Sequence, residues 1–391
     1  MRRVYVDYAA TTPLDPRVLE AMNPYFTIVY GNASSIHSFG TEARQAIEDA
    51  RIVISKAMSA EPRELIFTGS ATEANNLALK GFAFKNGLKK THIAISSIEH
   101  DSILNTAKWL EKLGVKITYL PVDHHGIIKQ EELEKTLKDG VSLVSIIHAN
   151  NEIGTVQSIK EIGKLCHEYE VNFHTDAAQS FCKLPIDVKE MGVDLMTVNA
   201  HKLYGPKGVG GLYIKKGVGI EPLVHGGGHE FGLRSSTENV PGIVGFAKAV
   251  EIAKNAMEQE AKRLIKLRDR LIKNVLKIEA TYLNGHRTQR LPNNTNFRFS
   301  YIEGEALIML LNDEGIAAST GSACSSSSGQ PSHVLLAIGL KPEDIHGSLR
   351  LSLGRYNTPE DIEYILEVLP KIVKKLRAMS PVEALKSYLG D

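Results

Sequence analysis

Lys202 follows a short apolar run, residues 194–198, and stands among polar and glycine-broken positions. A lysine delivered to the carboxyl end of a buried strand sheds hydration and becomes a usable nucleophilic amine. A second apolar run, residues 171–175, leads into Asp176 at the same kind of position. Pyridoxal phosphate asks a protein for a lysine that forms a Schiff base and a carboxylate that faces the pyridinium nitrogen. The pairing of Lys202 with Asp176 therefore predicts that cofactor.

Other side chains are placed to take part. Cys324 lies in a run of small residues, 319–329, between an apolar strand at 316–318 and a helix around 334–338. A thiol on such a loop is exposed and reactive, whereas Cys166 and Cys182 read as small buried hydrophobes. His100 ends another apolar stretch, where an imidazole can stack on an aromatic ring and shuttle protons. The same position also suits a histidine that only caps a helix. Asn151 follows a buried-type strand and can bond a phenolic oxygen, although Asn also favours turns for conformational reasons.

Ala71 and Thr72 open a helix just after the strand at 65–67. Free N–H groups there suit a cofactor phosphate, and they equally suit a plain helix N-cap. Arg350 alternates with Leu349, Leu351 and Leu353, so a strand projects its guanidinium either onto a substrate carboxylate or into a structural ion pair. The glycines of 205–211 and 226–228 fit neither GxGxxG nor GxxxxGK[ST]. They read as tight turns where backbone approaches something closely.

These residues need a frame that brings strand ends together. From about 61 to 211, strands at 65–67, 93–95, 117–120 and 143–147 alternate with helices starting near 72 and 102. This βαβ rhythm predicts an α/β fold with a mainly parallel sheet covered on both faces. A long charged helix over 243–276 then leads to strands at 296–299 and 349–353 and helices at 304–312 and 359–379. That remainder reads as a smaller α+β C-terminal domain.

The bulk numbers agree with an enzyme of this kind. A chain of 391 residues, 43% hydrophobic and 23% charged, is long enough for two domains. A net charge of +1 supplies no footprint for nucleic acid or an anionic membrane. No run reaches the ~20 apolar residues of a membrane span, and the first residues do not read as a signal peptide. Three cysteines without CxxC spacing predict neither a disulfide framework nor a zinc site, so the expected setting is the reducing cytoplasm and no metal is expected.

Taken in order, the motifs resemble the class V, fold-type I pyridoxal-phosphate enzymes, specifically the cysteine desulfurases of the NifS/IscS type. The resemblance runs through residues 7–12, 31–37, 71–76, 99–100, 150–154, 174–179, 200–202, 234–239, 321–324 and 350–358. It implies a large cofactor-binding domain over 12–258, and a small domain from 1–11 and 259–391 carrying a mobile cysteine loop. It implies that Lys202 binds pyridoxal 5'-phosphate and moves the substrate Cα proton, that Asp176 pairs with the ring nitrogen, and that His100 stacks over the ring. Gln179 and Asn151 would hold the phenolate oxygen. Ala71, Thr72, Asn199 and His201 would hold the phosphate, with Thr237 reaching in from the second subunit of a homodimer. Arg350 with Asn32 would take the carboxylate of L-cysteine. Cys324 would accept sulfur as a persulfide, leaving alanine, and pass it to a scaffold or other acceptor protein. Two departures stand out: Asn199 occupies a place where relatives usually have serine, and Ser236 one where glycine is common.

Two other readings remain open at this stage. A selenocysteine lyase, or another class V elimination or transamination, predicts that Cys324 is dispensable on L-cysteine. A non-catalytic scaffold would present Cys324 as a sulfur or iron–sulfur ligand, and an intact Lys202 argues against it.

Overall fold

Unbroken apolar runs make strands that are buried on both faces. The computed structural model describes residues 2–321 and 331–379. Its strands begin with β1 (Val4–Tyr5), β2 (Leu65–Thr68), β3 (His92–Ser96), β4 (Lys116–Leu120), β5 (Leu143–Ser145) and β6 (Asn172–Asp176). They continue with β7 (Leu195–Asn199), β8 (Gly210–Ile214), β9 (Thr281–Leu283), β10 (Asn294–Phe299), β11 (Ile316–Ala317) and β12 (Ser348–Ser352).

Seven strands form one sheet in the order β2-β8-β7-β6-β5-β3-β4. The pairs from β4 through β3, β5 and β6 to β7 are parallel, and only β8 runs against its neighbours β2 and β7. Successive residues point to opposite faces. Ile66, Ile93, Ile95, Leu143 and Leu195 face one core, together with Leu79, Phe82 and Ile103. Phe67, Ala94, Val144, Phe173 and Met196 face the other, together with Ile54 and Phe246. Each fully buried large apolar side chain contributes about 1.5–3 kcal/mol. A slip of one residue would exchange the two sets, so register is strongly fixed.

Strand β8 corrects the reading of 205–211 as turns throughout. Gly208 does turn, with φ 82°, but Gly210 and Gly211 are buried strand residues. The close approach expected of these glycines occurs within the sheet. A Cβ on Gly210 would stand 2.8 Å from the Ser70 carbonyl carbon and 2.9 Å from the Val198 oxygen. The helices Pro16–Met22 and Ser38–Ala57, which the motif reading did not single out, also belong to this part of the fold.

A second core gathers Leu264, Leu271, Phe297, Leu311, Leu349 and Ile365. Around it lie the antiparallel sheet β12-β10-β9 and the parallel pair β1-β11. The helix expected at 243–276 runs Val240–Val275, opening earlier because Asn239 caps it and Pro241 fits its first turn. Its amino-terminal part packs into the first core and its carboxyl-terminal part into the second. The helix expected at 359–379 is Pro359–Ala378, started by a capping box of Thr358 and Asp361. No helix among the described residues is long and apolar enough to cross a membrane.

Two histidines are buried behind the sheet's carboxyl edge. His174 meets Ser145 Oγ through Nδ1 at 2.8 Å and Thr197 Oγ1 through Nε2 at 3.2 Å, and His148 Nδ1 meets Ser180 Oγ at 2.9 Å. Burial pushes His174 down to about 3 and His148 to about 4. Unfolded histidine titrates near ~6.5, so the unfolded chain binds more protons below that pH. Their contribution is complete above ~6.5 and is lost on acidification at about 1.4 kcal/mol per histidine per pH unit. The urea midpoint is expected to fall between pH 7 and pH 5, and His174→Gln to flatten that slope. An equal slope in wild type and variant would contradict the assignment.

Candidate active site

In a parallel sheet the carboxyl ends of the strands share one edge, and ligands bind in the crevice outside it. Here β2 leads into Ser70–Thr72, β3 toward His100, β6 ends on Asp176 and β7 leads to His201 and Lys202. These ends enclose a cavity of about 360 Å³. Ala71, Thr72, His100, Asn151 and Asp176 line it, as do Gln179, Asn199, His201, Lys202 and Arg350.

Lys202 reaches the cavity from the loop after β7. Its Nζ donates to the carbonyl oxygens of Ala9 at 2.6 Å and Ala10 at 2.5 Å. That segment is fixed in turn by Ala9 N–H donating to Ser352 Oγ at 2.8 Å. Asp176 accepts from Asn75 Nδ2 at 2.7 Å and from Ala178 N–H at 2.9 Å. Asn75 also donates to Ser102 Oγ at 2.8 Å, and that hydroxyl lies 2.8 Å from His100 Nδ1. Because His100 Nδ1 accepts the Ser102 backbone N–H at 3.1 Å, the proton of the neutral ring sits on Nε2. His100 therefore both caps the helix Asp101–Lys112 and presents its ring to the cavity.

Across the cavity, Ser70 caps the helix Ala71–Asn76 by accepting from Glu73 N–H at 3.1 Å. Facing this turn, His201 is pushed down to about 4 by burial, with the charges of Lys202, Lys207 and Lys183 adding to the effect. Gln179 donates to Ala9 O at 2.8 Å and keeps one N–H to give. Arg350 forms the structural ion pair that its spacing allowed, with Asp7 at 2.8 Å, and also lines the cavity. It donates further to the carbonyls of Asn151 at 3.0 Å and Gly321 at 3.2 Å.

Two expected residues are not brought to the cavity of their own chain. Asn32 is exposed and spends its Oδ1 on the N–H of Ser34 at 2.8 Å, closing its own turn. Thr237 is exposed and likewise absent from the lining. Cys324 lies outside the described residues; Gly321, three positions before it, lines the cavity.

Other residues at the site were assigned no role from the sequence. Asn75 and Glu99 lie in the stretches 71–76 and 99–100, and their nearness to Thr72 and His100 was the available signal. Glu99 is fully buried, accepts the Ile147 N–H at Oε1, and is raised well above the usual carboxylate range by burial, with Asp176 adding to it. Glu152 is raised by burial and accepts from Ser332 Oγ at 2.6 Å. His333, which lies on the cavity wall with Nε2 2.9 Å from the Glu99 carbonyl, carried no local signal.

The donor set suits pyridoxal phosphate. Glu99 Oε2, Gln179 Oε1, Asn199 Oδ1 and Arg350 Nε are buried without a hydrogen-bond partner among the described residues, and all four side chains border the cavity. Such groups call for a polar occupant. A ring with a basic nitrogen, an oxygen substituent and an anionic arm matches one carboxylate, two amides, an amine and a helix start.

Comparison with known proteins agrees with this geometry. The Aminotransferase class-V family matches residues 4–365. The cysteine desulfurase IscS of Methanosarcina thermophila is 54% identical over 381 residues, covering 97% of this chain and 94% of its own. A solved NifS-like protein is 40% identical with a TM-score of 0.90, covering 96% of this chain and all of its own. The structure of SspA in complex with cysteine is 38% identical with a TM-score of 0.81, covering 91% of this chain and all of its own. This is a pyridoxal-phosphate enzyme fold, and the chain belongs to the class-V aminotransferase family and, within it, to the cysteine desulfurases.

Proposed function

We propose that this enzyme removes sulfur from L-cysteine, giving L-alanine and a persulfide on Cys324. The observation that carries the reading is the convergence of Lys202, Asp176, His100 and Arg350 on one cavity. Bound pyridoxal phosphate supplies an electron sink for the substrate's Cα and Cβ bonds. The protein does the rest. Lys202 Nζ anchors the cofactor and carries the Cα proton, while Asp176, steadied by Asn75, faces the ring nitrogen. His100 covers the ring, Gln179 and Asn151 address its oxygen, and Ala71, Thr72, Asn199 and His201 cradle the phosphate. Arg350 takes the substrate carboxylate. Asn32, turned into its own loop, is left out of that contact. Cys324 attacks the substrate sulfur as a thiolate. An S–S bond forms while the C–S bond breaks, the bonding pair stays with the substrate carbon, and a proton completes alanine.

A homodimer fits the same reading. Phe26, Ile28, Tyr30, Ile36 and Phe39 are exposed along one segment, Ile36 at 98%. An apolar patch of this kind suits burial against a second copy, which would bring Thr237 to the neighbouring phosphate site. We place the boundary between the two domains within the long helix, near residue 258. Delivery of sulfur to a scaffold or other acceptor protein, in a reducing cytoplasm, suits an enzyme whose Cys166 and Cys182 are buried free thiols.

Incubation with L-cysteine and a reductant, assayed for alanine and sulfide together, is expected to yield the two in equal amounts. Pyruvate in place of alanine would refute the reading. Arg350→Lys keeps the charge and loses the fork, so KM for L-cysteine is expected to rise about tenfold or more. The visible cofactor band should stay unchanged, and a KM within twofold of wild type would remove Arg350 from the substrate contact.

A further inference from the structure

Lys202 also borders a second, smaller cavity, of about 50 Å³, between the segment after β7 and the long helix Val240–Val275. Lys183 borders it as well. Part of the Lys183 side chain reaches the surface, but its Nζ is buried and has no hydrogen-bond partner among the described residues. An amine in that position is costly and calls for a reason.

Among the described residues, the titratable groups around the cavity supply Lys183 with no counter-charge. Glu260 is held by Arg263 at 2.8 Å, and Arg355 by Asp15. Burial pushes Tyr8 and Cys182 up to about 12 and raises Tyr204, so all three are neutral near pH 7. His201, on the adjoining turn, is pushed down to about 4 and is neutral as well. The cation that shares this cavity with Lys183 is Lys202. Burial lowers Lys183 to about 7, and Lys202 is the second cause of that shift.

On the reading that Lys202 carries the cofactor, we propose that Lys183 is a positioning residue: its amine crowds Lys202 with like charge and keeps the Lys202 nitrogen in its unprotonated, reactive form. The carbonyls of Ala9 and Ala10 pull the other way, since acceptors at 2.6 and 2.5 Å favour an ammonium. A cationic neighbour is the standing means of offsetting such a pull on a reactive lysine.

The test is a pH titration of the visible band of the holoenzyme, which reports the proton on the nitrogen linking lysine to cofactor. Lys183→Met removes the neighbouring charge, and the midpoint is expected to rise by about one pH unit or more. Lys183→Arg keeps a permanent charge, and its midpoint should lie at or below that of wild type. Lys183→Gln carries the same expectation as the methionine variant and replaces it if that chain fails to fold. A midpoint unmoved in the neutral variants, or moved equally in the arginine variant, overturns the proposal. Borohydride reduction and peptide mapping decide the underlying reading separately. Label on Lys202 with an unmoved midpoint sinks only the role of Lys183, whereas label elsewhere sinks the assignment of Lys202 itself.

Discussion

Lys202→Ala is expected to lower alanine and sulfide formation from L-cysteine together, by at least about a thousandfold. The substitution leaves β7 and its turn intact, because the side chain contributes to the cavity rather than to either core. It removes the amine from two carbonyl acceptors, Ala9 O and Ala10 O, at a stability cost of about 1–3 kcal/mol if water does not replace it. Cofactor binding should persist but lose its covalent character, since the turn at Ala71–Thr72 and the amides of Gln179 and Asn151 remain. The checks are a quenched assay of both products and dialysis of the bound cofactor. Activity within tenfold of wild type would place the chemistry elsewhere.

Cys324→Ala separates the two halves of the reaction. The visible band and the attachment at Lys202 should survive, while desulfuration of L-cysteine falls by about a hundredfold or more, because no thiolate receives the sulfur. Alanine should fall with sulfide, since the C–S bond breaks as the S–S bond forms. Desulfuration at the wild-type rate would favour the lyase-type elimination that needs no cysteine. Mass measurement of wild type after one turnover is expected to show one added sulfur, which the variant lacks.

Much of this frame could be read from the chain itself, for a physical reason. Parallel strands buried on both faces must be continuous apolar runs, so β2, β3, β5, β6 and β7 announced themselves, and the polar residues following them marked the site. Strand β8 escaped because Gly210 lets the Ser70 turn come close and Gly211 makes room for Leu65, which erases the apolar signature of a strand. Asn75, Ser102 and Glu99 act through partners brought near by the fold rather than by sequence spacing. Asn32 stands outside the cavity of its own chain because local turn bonding claims its side chain. Lys183 was invisible for a similar reason, since its surroundings are made by a helix that begins at Val240.

The stitching of the chain's two ends has a consequence for synthesis. Val4 and Tyr5 pair with Ile316 and Ala317, and Ala9, whose carbonyl seats the Lys202 amine, is itself held by Ser352. Residues 4–9 thus wait for residues 316–352, a contact of very long range. A ribosome-bound chain arrested before Ser352 would carry the seven-stranded sheet yet lack the hydroxyl that braces Ala9, so the seat of the reactive amine is completed only once β12 has emerged.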